Sequence, residues 1–185
     1  MKRDSCCRLP GFLTPSGIRE VQAECAEPAK RARSNQVGRA VNCYYGDPDS
    51  SLPASHPHNH MFERQFGVIR DDMIAPGATL RAVYGNASLM RFVADVLGRD
   101  RIYQSRDAYQ ALTVNVMHDG DSLHWHFDCN ACAITLGVQE PEAGGDLEFL
   151  PNIGRDNHAD IEAVIHERAD RPPVPSPSRE GPCPA

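Results

Sequence analysis

The chain has 185 residues, a formal net charge of −6 and a pI near 5.7. This length suits one domain with its own core, and the acidic balance argues against a nucleic-acid or membrane partner. No stretch approaches the roughly 20 apolar residues of a membrane span, and the first residues lack the apolar part of a secretory signal. The seven scattered cysteines do not resemble a disulfide framework. We therefore predict a soluble, cytoplasmic protein with reduced thiols.

The first third of the chain predicts one helix between two irregular segments. Residues 1–13 are expected to form a disordered lead-in. A helix is expected to begin after Thr14, because a hydroxyl N-cap is followed there by apolar residues at helical spacing. Pro28 is expected to end or kink this helix. The polar, turn-rich stretch 31–60 predicts a long loop.

A second helix is predicted over residues 86–97. Its apolar residues recur at helical spacing, Asn86 is a favourable N-cap, and Gly98 suits the left-handed position that ends many helices. The N-cap and the terminal glycine therefore bound the same segment that the apolar spacing predicts to be helical.

The second half of the chain has mainly strand character. Strands are predicted over 111–117, 131–139 and 147–150, where β-branched and aromatic residues concentrate. Gly144 and Gly145 suit a hairpin between the last two strands. A further helix is predicted over 157–169.

These elements predict an α+β fold, in which N-terminal helices precede the first half of a double-stranded β-helix, or jelly roll. The predicted domain covers residues 14–171 and is incomplete. Residues 172–185 contain six prolines and are expected to be a disordered tail without strand or helix.

The motif that says most about a possible reaction is His126-Phe127-Asp128. On an extended strand, side chains two residues apart point to the same face, so His126 and Asp128 would approach one metal ion together. A His and a carboxylate are two of the three ligands in the facial triad of non-haem Fe(II). The alternative is a hydrogen-bonded strand histidine beside a turn-forming acid.

The surrounding sequence adds a resemblance to a known family. Residues 115–128, ending in His-Trp-His-Phe-Asp, resemble the iron-binding segment of Fe(II)- and 2-oxoglutarate-dependent dioxygenases. Residues 135–151, with Gly-Gly-Asp-Leu-Glu-Phe-Leu-Pro, are similar to the next two strands of that family. These two motifs most resemble those of a branch of small enzymes that hydroxylate free amino acids, or in relatives halogenate them. The resemblance covers about residues 10–170 and is sharpest over 112–154.

The resemblance implies Fe(II) as cofactor, 2-oxoglutarate as co-substrate and a small molecule as substrate. His126 and Asp128 correspond to the first two iron ligands. The family's distal His and its 2-oxoglutarate-binding Arg lie later in the chain, where only His166 and Arg179 have a suitable separation. We expect instead that the chain is a truncated or frame-shifted product, and that alone it is an inactive or weak fragment.

The resemblance also bears on the reaction. Halogenating relatives have a small residue in place of the carboxylate, which admits a chloride ion. The presence of Asp128 therefore favours hydroxylation.

The competing hypothesis is a non-catalytic protein, either a metal-binding remnant or a zinc-stabilised module. Its ligands would be His124, His126, Cys129 and Cys132, since the two thiols form a Cys-x-x-Cys pair.

Three other features have two interpretations each. Asn115 is a candidate for binding the carboxylate of 2-oxoglutarate, or else makes an ordinary hydrogen bond at the end of a strand. Trp125 is expected to pack in the core, with a substrate contact as the alternative. His56, His58 and His60 suit a solvated surface better than a metal site.

Overall fold

The computed structural model describes residues 6–32, 39–109, 111–130, 132–166 and 174–175. Its elements are helices and short antiparallel strands: α1 (Pro15–Ala32), β1 (Arg39–Val41), β2 (Phe62–Arg64), β3 (Gly67–Ile69), α2 (Thr79–Tyr84), α3 (Ala87–Val96), β4 (Val114–Val116), β5 (Glu148–Phe149), α4 (His158–Ile165) and β6 (Val174–Pro175). A 3₁₀ turn covers Asp71–Met73. None of the described helices is long and apolar enough to cross a membrane.

The chain divides into two compact units. Unit 1 comprises residues 1–8, 40–63 and 124–185, and unit 2 comprises residues 9–39 and 64–123. Each unit is assembled from segments that are distant in sequence. The prediction of one domain over residues 14–171 stays a prediction.

Unit 2 packs helix α1 against strand β3 and helix α2. Strand β3 pairs with β4 in an antiparallel ladder in which Ile69 lies opposite Val114. Val21 of α1 and Ile69 of β3 are fully buried, and Leu80 of α2 joins them in the interior. Removal of these side chains from water is the main stabilising contribution to this unit.

The predicted helix 86–97 is confirmed as α3. The Asn86 side chain accepts a hydrogen bond from the Leu89 backbone N–H at 2.9 Å, which is the contact of an N-cap. Gly98 has φ +62°, the left-handed conformation expected after a helix end.

Helix α1 begins where the sequence predicts but does not end at Pro28. It continues to Ala32, which is fully buried. Burial of its last turn therefore outweighs the backbone hydrogen bond that proline removes.

A carboxylate from α1 caps α2. The N-cap of α2 is Ala78, which has no capping side chain, and Glu24 of α1 accepts from the backbone N–H groups of Thr79 at 2.6 Å and Leu80 at 3.4 Å. A negative charge at a helix N-terminus satisfies unpaired donors and complements the helix dipole.

Helix α4 provides the core of unit 1. Ile161 and Ile165 are buried with Cys43. Tyr44, Phe62, Trp125, Phe127 and Ile153 pack around them. The predicted helix 157–169 is thus confirmed from His158 to Ile165, and residues 167–169 lie outside the described part. The core position expected for Trp125 is also confirmed.

Several strand predictions differ from the structure. The predicted strand 111–117 is present as the shorter β4, and 147–150 is present as β5. The prediction for 131–139 is wrong over 132–139, which has no strand. The loop predicted over 31–60 contains β1. Residues 172–185 were expected to contain no strand, but β6 (Val174–Pro175) pairs with β5. The other residues of 172–185 lie outside the described part. The half jelly roll stays a prediction.

Candidate metal centre

The segment that contains His126 and Asp128 is not a β-strand. No ladder covers residues 123–130, so the prediction of a strand there is wrong. The segment is tied to a distant turn by a backbone hydrogen bond in which Phe127 N–H donates to Cys43 O at 2.8 Å. Phe127 also packs against the core of unit 1.

His126 and Asp128 nevertheless point toward each other. His126 Nε2 and Asp128 Oδ1 are 3.6 Å apart. Two ligands on one metal ion, each at about 2.1 Å, are separated by roughly 3 Å when they occupy adjacent positions. The observed separation is close to this value. The His126 side chain is a quarter exposed and the Asp128 side chain half exposed, so the pair is accessible from solvent.

The hydrogen bonding of His126 determines which ring nitrogen is available. Nδ1 lies 2.8 Å from His124 O, an atom that can only accept, so Nδ1 carries the proton. In the neutral ring Nε2 then holds the lone pair. Metal-binding histidines typically donate their second N–H in this way, which fixes the ring and its tautomer.

Nε2 of a neutral His126 and the Asp128 carboxylate are therefore two acceptors that face each other. A cation or an additional proton between them satisfies both. Imidazole nitrogen and carboxylate oxygen also match the preferences of a divalent first-row metal such as Fe(II). The two residues fit the first two positions of a facial triad.

Two tyrosines beside this pair were missed by sequence reasoning. The ring of Tyr45 lies 5.3 Å from the His126 ring, and Tyr45 has φ +58°, an unusual conformation for a bulky residue. The ring of Tyr44 stacks on Phe127 at 5.5 Å. No signal in the sequence links residues 44–45 to a motif some eighty positions later.

His166, the candidate third ligand, lies at the C-terminal end of α4, and His158 begins this helix. His158 Nδ1 is 3.1 Å from His56 Nε2. His166 lies edge-on to His60 at 4.8 Å, and its Nε2 is buried without a hydrogen-bond partner. Arg179 lies outside the described part. Within that part, no three His, Cys, Asp or Glu side chains form a group able to hold a metal ion.

His56, His58 and His60, expected on a solvated surface, are only partly exposed. All three are half-buried, and His56 and His58 stack at 5.4 Å. His56 Nδ1 accepts from the His58 N–H, so its Nε2–H donates to His158. Both ring nitrogens of His56 are thus used in hydrogen bonds within the protein.

The ligand set of the zinc hypothesis does not assemble in the described residues. Cys129 is exposed and Cys132 is half-buried, both as free thiols. Together with His124 and His126 they do not form a group of three or more potential ligands.

Asn115 lies on β4 of unit 2, opposite Val68, and its side chain is exposed. Its proposed contact with 2-oxoglutarate stays a prediction.

Comparison with known proteins identifies the family. No significant match was found among curated proteins or solved structures. The profile of the halogenase D family matches residues 53–176, well over half of the chain. This range includes His126, Asp128 and the whole of α4. The chain belongs to the halogenase D family, a family of halogenase-like enzymes.

Proposed function

We propose that this protein is an Fe(II)- and 2-oxoglutarate-dependent oxygenase that hydroxylates a small molecule, with free amino acids as the class to test first. The family supports oxidative chemistry at a carbon centre. The proposal depends on the His126–Asp128 pair, in which the two atoms able to bind a metal, His126 Nε2 and Asp128 Oδ1, lie 3.6 Å apart.

The roles of the two residues follow from their chemistry. His126 would bind Fe(II) through Nε2, with its ring held by the bond from Nδ1–H to the His124 carbonyl. Asp128 would supply an anionic oxygen on the same side and offset part of the metal's charge. When bound, Fe(II) would let O₂ act as the oxidant: 2-oxoglutarate would be decarboxylated to succinate and CO₂ with one oxygen atom of O₂ entering succinate, and the other oxygen atom would be inserted into a C–H bond of the substrate.

Asp128 also distinguishes hydroxylation from halogenation. A halogenating site needs a free metal position for the halide, and a carboxylate ligand occupies that position. A chain that retains Asp128 is therefore proposed to transfer a hydroxyl group rather than a halogen.

Metal titration tests the proposed pair. Co(II) is air-stable, and its absorption spectrum reports bound ligands, so it replaces Fe(II) as the probe. We expect His126→Ala and Asp128→Ala each to weaken Co(II) binding at least about tenfold. The control His118→Ala removes an exposed histidine of unit 2 and should leave the affinity unchanged. Equal affinity in all four proteins would contradict the proposed metal pair.

Turnover is tested separately from binding. The protein with Fe(II), 2-oxoglutarate, O₂ and a panel of free amino acids is expected to form succinate, and His126→Ala to abolish it. His126-dependent Co(II) binding without any succinate would identify a metal-binding protein without catalysis. Tight zinc binding that is lost on Cys129→Ser would instead support the zinc module.

A further inference from the structure

Arg155 is the side chain that contacts the backbone on both sides of Asp128. Its Nη2 donates to Asp128 O at 3.0 Å and, more weakly, to Phe127 O at 3.5 Å. Its guanidinium carbon also lies 5.2 Å from the centre of the Phe127 ring, within range of a cation–π contact.

These two carbonyl groups belong to the two peptide planes that flank the Asp128 α-carbon. One donor that engages both planes restrains φ and ψ of Asp128 together. This restraint matters here because no β-ladder fixes the backbone of the segment. The direction of the carboxylate depends on those angles, since the side chain projects from the α-carbon between them.

Arg155 is itself held in place by Tyr44. The Tyr44 hydroxyl donates to Arg155 O at 3.2 Å, while the Tyr44 ring stacks on Phe127. Burial raises the pKa of Tyr44 to about 12, so the hydroxyl keeps its proton near neutral pH. Tyr44, Phe127 and Arg155 thus each contact the other two, and Phe127 immediately precedes Asp128 in the chain.

We propose that Arg155 is a positioning residue for the metal pair, and that its guanidinium aims the Asp128 carboxylate at His126 Nε2. The proposal rests on the proposed function, because the pair is expected to bind Fe(II). Arg155 lies at the surface, where water competes for the carbonyl oxygens, so its loss should weaken the site without unfolding the unit.

The first measurement uses Co(II) titration of Arg155→Gln, Arg155→Lys and Arg91→Gln. We expect Arg155→Gln to weaken Co(II) binding about tenfold, as removal of outer contacts to a metal ligand commonly does. Arg155→Lys should not restore it, because lysine lacks the planar guanidinium that contacts the Phe127 ring while its Nη2 reaches both carbonyls. Arg91→Gln, which removes an exposed arginine of unit 2, is the matched control. Unchanged affinity in Arg155→Gln, or full restoration by lysine, would overturn the proposal.

The second measurement needs no metal. Amide hydrogen exchange at Phe127 should accelerate about tenfold in Arg155→Gln, while amides of α3 in unit 2 exchange as before. Tyr44→Phe removes only the hydroxyl and should give a smaller change in the same direction. If wild-type Co(II) binding does not depend on His126, the proposed function fails, and exchange at Phe127 still decides the role of Arg155. An unchanged exchange rate at Phe127 in both variants would refute that role.

Discussion

The side-chain amide of Asn42 donates to His58 O at 2.7 Å and thereby joins two turns that are 16 residues apart. Asn42 is fully buried and uses its whole hydrogen-bonding capacity. Its amide also donates to Gly46 O, and its carbonyl oxygen accepts from the N–H groups of Tyr44 and Gly46. The turn it closes contains Tyr45, whose ring contacts His126.

Asn42→Ala is expected to lower the free energy of unfolding by about 2–4 kcal/mol, because it removes four hydrogen bonds made by a fully buried side chain. Urea unfolding followed by circular dichroism measures the loss. Asn115→Ala, at an exposed strand position, should change stability by less than about 0.5 kcal/mol. Similar losses in the two variants would contradict the role given to Asn42.

Stability is expected to fall in acid through His56. Burial, followed by the neighbouring His158 and His58, lowers the pKa of His56 below its ordinary 6.5. The unfolded chain then binds the proton more tightly, so the contribution is fully present above pH 6.5 and is lost as pH falls below it. Protonation also removes the acceptor that Nδ1 offers to the His58 N–H.

Urea midpoints between pH 8 and pH 5 test this expectation. The decline below pH 6.5 should be shallower in His56→Gln than in wild type. His118→Gln, in the other unit, serves as the comparison. Parallel curves for all three proteins would show that His56 does not contribute.

Arg81 is expected to be the arginine of unit 2 that lysine replaces least well. Its guanidinium contacts the carboxylate and carbonyl of Asp71 and the carbonyls of Ile74 and Ala75. Lysine cannot reach all of these groups, so Arg81→Lys should cost about 1–3 kcal/mol in urea unfolding. Arg91→Lys, at an exposed pair with Asp95, should cost less than about 0.5 kcal/mol. Equal losses of stability in Arg81→Lys and Arg91→Lys would refute this role of the Arg81 guanidinium.

Glu24→Ala is expected to destabilise the protein by about 1–2 kcal/mol, because the first N–H groups of α2 lose their cap. Thermal or urea unfolding measures the change. Glu24→Gln keeps one acceptor oxygen and should lower the free energy of unfolding by less than Glu24→Ala does. Glu27→Ala, whose carboxylate pairs with exposed Lys30, provides the control. A loss in Glu27→Ala as large as that in Glu24→Ala would contradict the cap.

Local signals account for what could be predicted of the fold. Both ends of α3 follow from Asn86 and Gly98, whose effects depend on the adjacent turn alone. The strand over 132–139 failed because β propensity measures fit to a half-buried pleated surface. Ile134, in the middle of that run, is 62% exposed, so this segment lacks the burial that its composition suggests.

The candidate site was predicted in part. The spacing of His126 and Asp128 predicted two side chains on one face of a strand; the strand is absent, but the two side chains lie 3.6 Å apart. The contacts that hold the segment come from Cys43 and Arg155, which lie far from it in sequence. Short-range patterns carry no information about such partners, and Tyr44, Tyr45 and Arg155 were therefore missed.

The division of unit 1 into distant segments also constrains the order of events during synthesis. A ribosome releases residues 40–63 first and must then make all of 64–123 before His126 emerges. Arg155 follows 27 residues after Asp128. A nascent chain that carries both metal donors therefore lacks, for a time, the side chain that contacts the Asp128 backbone. On the proposed role of Arg155, the geometry of the pair is completed only late in translation, after the turn before α4 has left the exit tunnel.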